Sequence, residues 1–218
     1  MRALLRRGLL VPGFLFAVGA ASFDPARLAM PPLSPRTLPP KGHVLFQDDF
    51  SSDSLSGWEA DRAGVWTVRN GALRADLPDR RQERSFLFAG SDGWTNYAVD
   101  LDVCAMRGVD KGVAVRVADK KTGVGIDLRG PGYQDVIVNV REWSLGKARV
   151  VNANGAWHHI RVEVRDQSLR VWVNGTLLID RPDAKRSPHA GRIALAAYTG
   201  GVGECTVFYD NVVVTELP

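Results

Sequence analysis

The sequence predicts an all-β protein, an antiparallel two-sheet β-sandwich. Three observations predict it. Apolar residues alternate with polar ones along most of the chain, Asn-Gly pairs separate alternating runs, and no sustained apolar spacing of three and four follows the first residues. A strand turns successive side chains to opposite faces, so alternation marks one face in a core and the other toward polar groups.

The first element is an address rather than part of the fold. Arg2, Arg6 and Arg7 form a basic head, Gly8 to Ala21 is apolar, and Gly19, Ala20 and Ala21 make a small-residue exit. This pattern reads as an export signal over residues 1–21. The apolar run is shorter than the ~20 residues that cross a bilayer, and Pro12-Gly13 interrupts it. The expected location is therefore periplasmic, cell-surface or extracellular, with membrane contact only through this signal. Residues 22–42 carry Pro25, Pro31, Pro32, Pro35, Pro39 and Pro40 and read as an extended linker. The folded domain is expected over residues 43–218.

Within it, Tyr97, Val99, Leu101 and Val103 alternate with Ala98, Asp100 and Asp102. Val113, Val115 and Val117 alternate with Ala114 and Arg116, and Val136, Val138 and Val140 with Ile137 and Asn139. Ile160, Val162 and Val164 alternate with Arg161 and Glu163, and Leu169, Val171 and Val173 with Arg170 and Trp172. Asn70-Gly71 and Asn174-Gly175 stand between paired runs, where a two-residue hairpin needs positive φ at both central positions. Asn154-Gly155 reads as a loop before Trp157. Short connections without crossover helices give two packed antiparallel sheets.

Charge limits the partners. The chain has 28 Lys and Arg against 24 Asp and Glu, a net of +4, and three of the cations sit in the basic head. No basic stripe is left for phosphates, so no nucleic-acid partner is expected. A monomer is expected. The chain has two cysteines, Cys104 and Cys205, and export sends them to an oxidising compartment, so a disulfide between them is expected.

The order of motifs resembles concanavalin A-like lectin/glucanase domains. Phe46-Gln47-Asp48-Asp49-Phe50, Gly57-Trp58 and Trp66 to Leu73 resemble their opening. Trp157 to Val164, Leu169 to Gly175, Gly191 to Leu195 and Phe208 to Val212 resemble their closing half. Laminin-G-like domains and the domain of 3-keto-disaccharide hydrolases are the most similar subfamilies, the latter through Leu55 to Trp58 and Gly112 to Arg116. The resemblance implies a jelly roll whose concave face meets glycans. It also implies one structural calcium ion between Asp49 and Asp210, on the first and last strands.

The same fold hosts enzymes, lectins and adhesion modules, so the site must decide. The Glu-x-Asp-x-x-Glu of the glucanases is absent. Asp100 with Asp102, or Asp127 with Asp135 or Glu142, could supply paired carboxylates. Elimination beside a ketone would need a base instead, and His158, His159 and His189 are candidates. The two adjacent histidines point to opposite faces of their strand. A binding face is the reading preferred here. Arg116, Asp127, Arg129, Asn139, Arg141 and Trp143 fall on the polar side or at the ends of central strands, with Tyr133 at the rim. Planar donors and acceptors beside an aromatic plate match the hydroxyl edges and apolar faces of sugars. The expected function is glycan or polysaccharide binding without turnover. The alternatives are hydrolysis of 3-keto-disaccharides and a structural or adhesion module.

Overall fold

The computed structural model describes residues 42–218, except positions 79, 81, 120, 121, 131, 141, 142, 185, 186 and 202 and the side chain of Trp143. The expected export segment, the linker through residue 41, and the candidates Arg141 and Glu142 lie outside the described residues.

The strands in chain order are β1 (Val44–Asp48), β2 (Trp58–Ala60), β3 (Trp66–Arg69), β4 (Ala72–Leu77), β5 (Arg84–Ala89), β6 (Tyr97–Arg107), β7 (Asp110–Val117) and β8 (Val124–Arg129). They continue with β9 (Asp135–Val140), β10 (Trp143–Arg149), β11 (His158–Arg165), β12 (Ser168–Val173), β13 (Thr176–Arg181), β14 (Arg192–Tyr198) and β15 (Cys205–Glu216). One sheet runs β13-β12-β11-β6-β15-β4-β3 with β1 added on β15, and the other runs β10-β9-β8-β7-β14-β5-β2. The expected sandwich is present, and no helix occurs among the described residues.

The alternation read from the sequence fills the core. Val99, Leu101 and Val103 of β6 and Ile160 and Val162 of β11 are buried against Val113, Val115, Ile126, Leu128 and Leu195 from the other sheet. Two of the Asn-Gly pairs form the hairpins expected of them. Asn70 and Gly71 have φ of 54° and 74°, and Asn174 and Gly175 of 50° and 78°. Both central positions are left-handed, which matches the twist of the flanking strands.

One side chain ties the sheets together behind the site. The Tyr209 hydroxyl of β15 accepts the Gly112 N–H at 3.0 Å and stands 2.5 Å from the Ala196 carbonyl. Gly112 and Ala196 are partners across β7 and β14. Burial pushes the phenol well above its ordinary range, so it stays a neutral donor.

Two expectations are corrected here. Arg116 does not stand on the polar face. It has φ of 52° beside an irregularity in the β7–β14 register, and it is 1% exposed. Its guanidinium donates to the carbonyls of Thr95, Asp166 and Pro188, so it closes the edge of the sandwich. The same bend turns Val117 away from Val113 and Val115 and onto Phe88 and Ala194 on the outer face. A bulge inserts a residue out of phase, which strict alternation cannot show. The second correction concerns Cys104 and Cys205, which are buried free thiols. Cys104 packs with Ala72 and Phe208 on the outside of the eight-stranded sheet, whereas Cys205 belongs to the central core. Both strands are central neighbours, but the two side chains leave opposite faces.

Candidate functional site

The outer face of the seven-stranded sheet carries a groove of about 710 Å³, within the size range of small-ligand sites. Its floor exists because the residues pointing outward in the middle strands are small. Ala114 of β7, Gly125 of β8 and Ala194 and Ala196 of β14 line it. Phe86 and Phe88 of β5 form one wall, their rings 6.1 Å apart, and Ile137 and Asn139 of β9 form the other. This juxtaposes an apolar aromatic wall with an amide-bearing one, a surface suited to a sugar ring.

Charged side chains stand at the Asp110 end of the groove, and Asp119 lines it beyond the other end of β7. Asp110 and Asp127 line it together with Arg84. Asp127 stands opposite Gly112 across the β7–β8 ladder, and Asp110 stands opposite Arg129. The two aspartates are therefore diagonal neighbours on one face, with backbones about 7–8 Å apart. Asp127 leans over the glycine floor, its Oδ2 3.9 Å from where a Gly125 Cβ would stand. Burial pushes its carboxyl up to about 7, and the charge of Asp110 pushes the same way, while Arg84 and Arg129 oppose. Burial also raises Asp110, against Arg129, Lys111 and Arg84. Among the described residues neither carboxylate has an ion pair, and Asp110 Oδ1 is buried without a hydrogen-bond partner.

Of the residues expected from the sequence, Asp127 and Asn139 line the groove. Arg129 is on the same face, but its Nε and Nη2 donate to Asp135 at 2.7 and 2.9 Å, and Lys147 holds the same carboxylate at 3.0 Å. Tyr133, 57% exposed, lies under the Arg129 guanidinium at 4.2 Å. This pair sits beyond the groove lining rather than within it. Trp143 opens β10, paired with Val140. The sequence reading missed Arg84, Asp110, the Phe86 and Phe88 wall and the alanine floor. Their signal was present as Phe86-Leu87-Phe88 and Ala194-Leu195-Ala196, alternations whose outward members are not polar.

The other acid and base candidates lie elsewhere. His158 faces the core, buried without a partner, and burial together with the Lys111 charge pushes it down to about 4. His159 faces the outside of the opposite sheet. Its Nδ1 is 2.9 Å from Asp102 and its Nε2 3.2 Å from Asp100, and these bonds raise it to about 9. Asp100 also receives Arg161, so this carboxylate pair is committed to a cationic partner network. His189 is in the loop before β14, outside the groove lining.

Asp49 accepts the N–H and hydroxyl of Ser51, and Asp210 accepts the N–H of Asn211. Among the described residues no group of three or more His, Cys, Asp or Glu side chains is placed to hold a metal. Calcium takes six to eight oxygens, so Asp49 and Asp210 alone do not make its cage.

Two antiparallel sheets around one core, with an open groove across the outer face of one, define a concanavalin A-like jelly-roll domain. The chain belongs to the 3-keto-alpha-glucoside-1,2-lyase-like domain family, whose model matches residues 45–215. A search of the curated proteins returned no match. Among solved structures the chain is similar to carbohydrate binding module CBM66 from Bacillus subtilis, at 16% identity over 73% of this chain and 96% of that one, with TM-score 0.61. It is similar to the GH43 protein BlXynB from Bacillus licheniformis at 16% identity, over 78% of this chain and 39% of that one, with TM-score 0.60. It is also similar to the Crh5 transglycosylase in complex with NAG, at 15% identity over 84% and 89% of the two chains, with TM-score 0.63. At these identities the likeness is one of fold.

Proposed function

We propose that the groove binds a 3-keto glycoside and cleaves it by 1,2-elimination, with Asp127 as the base. The observation that supports this reading is the Asp127 carboxylate beside the small-residue floor, pushed up to about 7. A ketone at C3 acidifies the proton on C2, so the demanding step is removal of that proton. A base is most effective when its pKa lies near the working pH and when it is free of ion pairs; Asp127 meets the first condition, and among the described residues it meets the second. Phe86 and Phe88 offer a face to the ring, and Asn139 offers a donor and an acceptor to its hydroxyls. The family name supports the substrate class.

The test is incubation of the purified domain with a 3-keto-glucoside while absorbance is followed in the ultraviolet. Elimination conjugates a new C1=C2 bond with the ketone and produces absorbance. Asp127→Asn is expected to abolish it. Retention of a glycan in affinity electrophoresis with no product favours the second reading, binding without turnover, which rests on the aromatic wall alone. Neither retention nor product would leave a structural or adhesion module.

Export, a monomeric state and a calcium ion at Asp49 and Asp210 belong to the same proposal. They rest on the sequence: the basic head and apolar run for export, and the resemblance for calcium, whose remaining ligands would be backbone carbonyls and water.

A further inference from the structure

We propose that Asp110 is the second catalytic carboxylate of the groove, the acid that gives a proton to the departing glycosidic oxygen. The inference rests on the elimination reading above, in which Asp127 removes the proton beside the ketone.

Position comes first. Asp110 and Asp127 belong to adjacent strands, line one groove and stand in diagonal register. Gly112, opposite Asp127 and two residues from Asp110, puts no side chain between them. A diagonal spacing of about 7–8 Å between backbones lets the carboxyl groups flank two adjacent ring carbons. One then addresses C2 and the other the oxygen on C1.

The surroundings separate the roles. Among the described residues the cations near Asp110 are engaged or buried elsewhere. Arg129 is bidentate on Asp135, Arg84 lies 4.5 Å over the Tyr198 ring, and the Lys111 side chain is buried in the sandwich. Asp135, the other nearby acid, is neutralised by Arg129 and Lys147. Asp110 Oδ1 is buried with no donor, an arrangement that favours the carboxylic acid over the carboxylate. The Asp110 charge raises Asp127, so ionisation of both carboxyl groups together is disfavoured.

The step balances. Asp127 takes the C2 proton, and the C2–H electron pair becomes the C1=C2 bond. The C1–O bond breaks with its pair on oxygen, and Asp110 gives that oxygen its proton. The products are an unsaturated keto sugar and an alcohol. Exchange with water returns the proton from Asp127 and reprotonates Asp110, and no oxidant or co-reactant is consumed.

The leaving group provides the test. Methyl 3-keto-glucoside loses an alkoxide that needs a proton, whereas 4-nitrophenyl 3-keto-glucoside loses a stable phenolate that does not. Asp110→Asn is expected to lower kcat/KM on the methyl glycoside by about 10²-fold or more, and on the nitrophenyl glycoside by less than about tenfold. The unsubstituted protein supplies a second readout. Its kcat/KM on the methyl glycoside falls at high pH as the acid ionises, and on the nitrophenyl glycoside it does not. Equal loss on both glycosides with no difference between the pH profiles overturns the role of Asp110 and leaves Asp127 standing. Absence of turnover on either glycoside by the unsubstituted protein overturns the elimination reading and this inference with it.

Discussion

Gly112 of β7 stands directly opposite Asp127 of β8, so the carboxylate faces bare backbone across the ladder. The same glycine bonds through its N–H to the Tyr209 hydroxyl of the opposite sheet. The ladder partner of Asp127 and the tie between the sheets are therefore one residue without a side chain. A Cβ at this position would lie 2.0 Å from the Ile126 carbonyl oxygen, and φ is +154°. Gly112→Ala is expected to cost more than about 1 kcal/mol, because backbone rather than a movable side chain blocks the methyl group. Chemical denaturation checks this, and an unchanged midpoint would show that the strand relaxes freely.

Lys111, next in the chain, is buried at 1% exposure with no partner for its Nζ. Burial pushes its ammonium down to about 8 from an ordinary value of 10.5. The folded state thus binds fewer protons than the unfolded chain between these values, and stability rises with pH from about 8 to 10.5. Below that window the full penalty applies, about 3 kcal/mol. Lys111→Met is expected to raise the midpoint at pH 7 and remove the rise above pH 8. A lower midpoint for the variant would mean that the charge is satisfied in solution.

His159 works in the opposite direction. Its raised value means that the folded state holds a proton the unfolded chain releases. Its contribution is fully present below pH 6.5 and is lost as pH rises toward 9. With its side chain 27% exposed, solvent screening reduces the contribution to about 1–2 kcal/mol. His159→Gln is expected to flatten the fall that begins near pH 6.5, below the range in which Lys111 starts to lose its proton. Parallel curves for the two proteins would contradict the imidazolium between Asp100 and Asp102.

The fold was legible because each core strand repeats its alternation, as in Ile160, Val162 and Val164, and because Asn-Gly suits left-handed hairpin positions. Arg116 was misplaced because a single left-handed residue shifts the phase of β7 by one. The cysteines were paired from compartment and number, but which face a side chain leaves decides whether two central neighbours can bond. The site was legible in part. Asp127 and Asn139 are polar residues on an alternating face, a visible signal. Ala194, Ala196 and Gly125 make the groove by lacking bulk, and an outward alanine looks no different from a weakly buried one. Asp110 starts its strand, so no alternation preceded it to assign a face.

Calcium is expected to join Asp49 near the end of β1 to Asp210 of β15, strands that pair through Asp48 and Val212. A bound ion adds its binding free energy to stability. Chelator is therefore expected to lower the melting midpoint of the purified domain, and added calcium to restore it. An unchanged midpoint, with no metal in elemental analysis, would remove the site.

The most direct test of the central claim is the pH dependence of kcat/KM on 4-nitrophenyl 3-keto-glucoside, measured for the unsubstituted protein and Asp127→Asn. A base that titrates at about 7 must be ionised to take the proton, so the rate is expected to rise through pH 7 and level above it. The Asn variant, with its melting midpoint retained, is expected to lose about 10²-fold or more and the rise itself. A variant that keeps both the rate and the rise through pH 7 would contradict the assignment of Asp127 as the base.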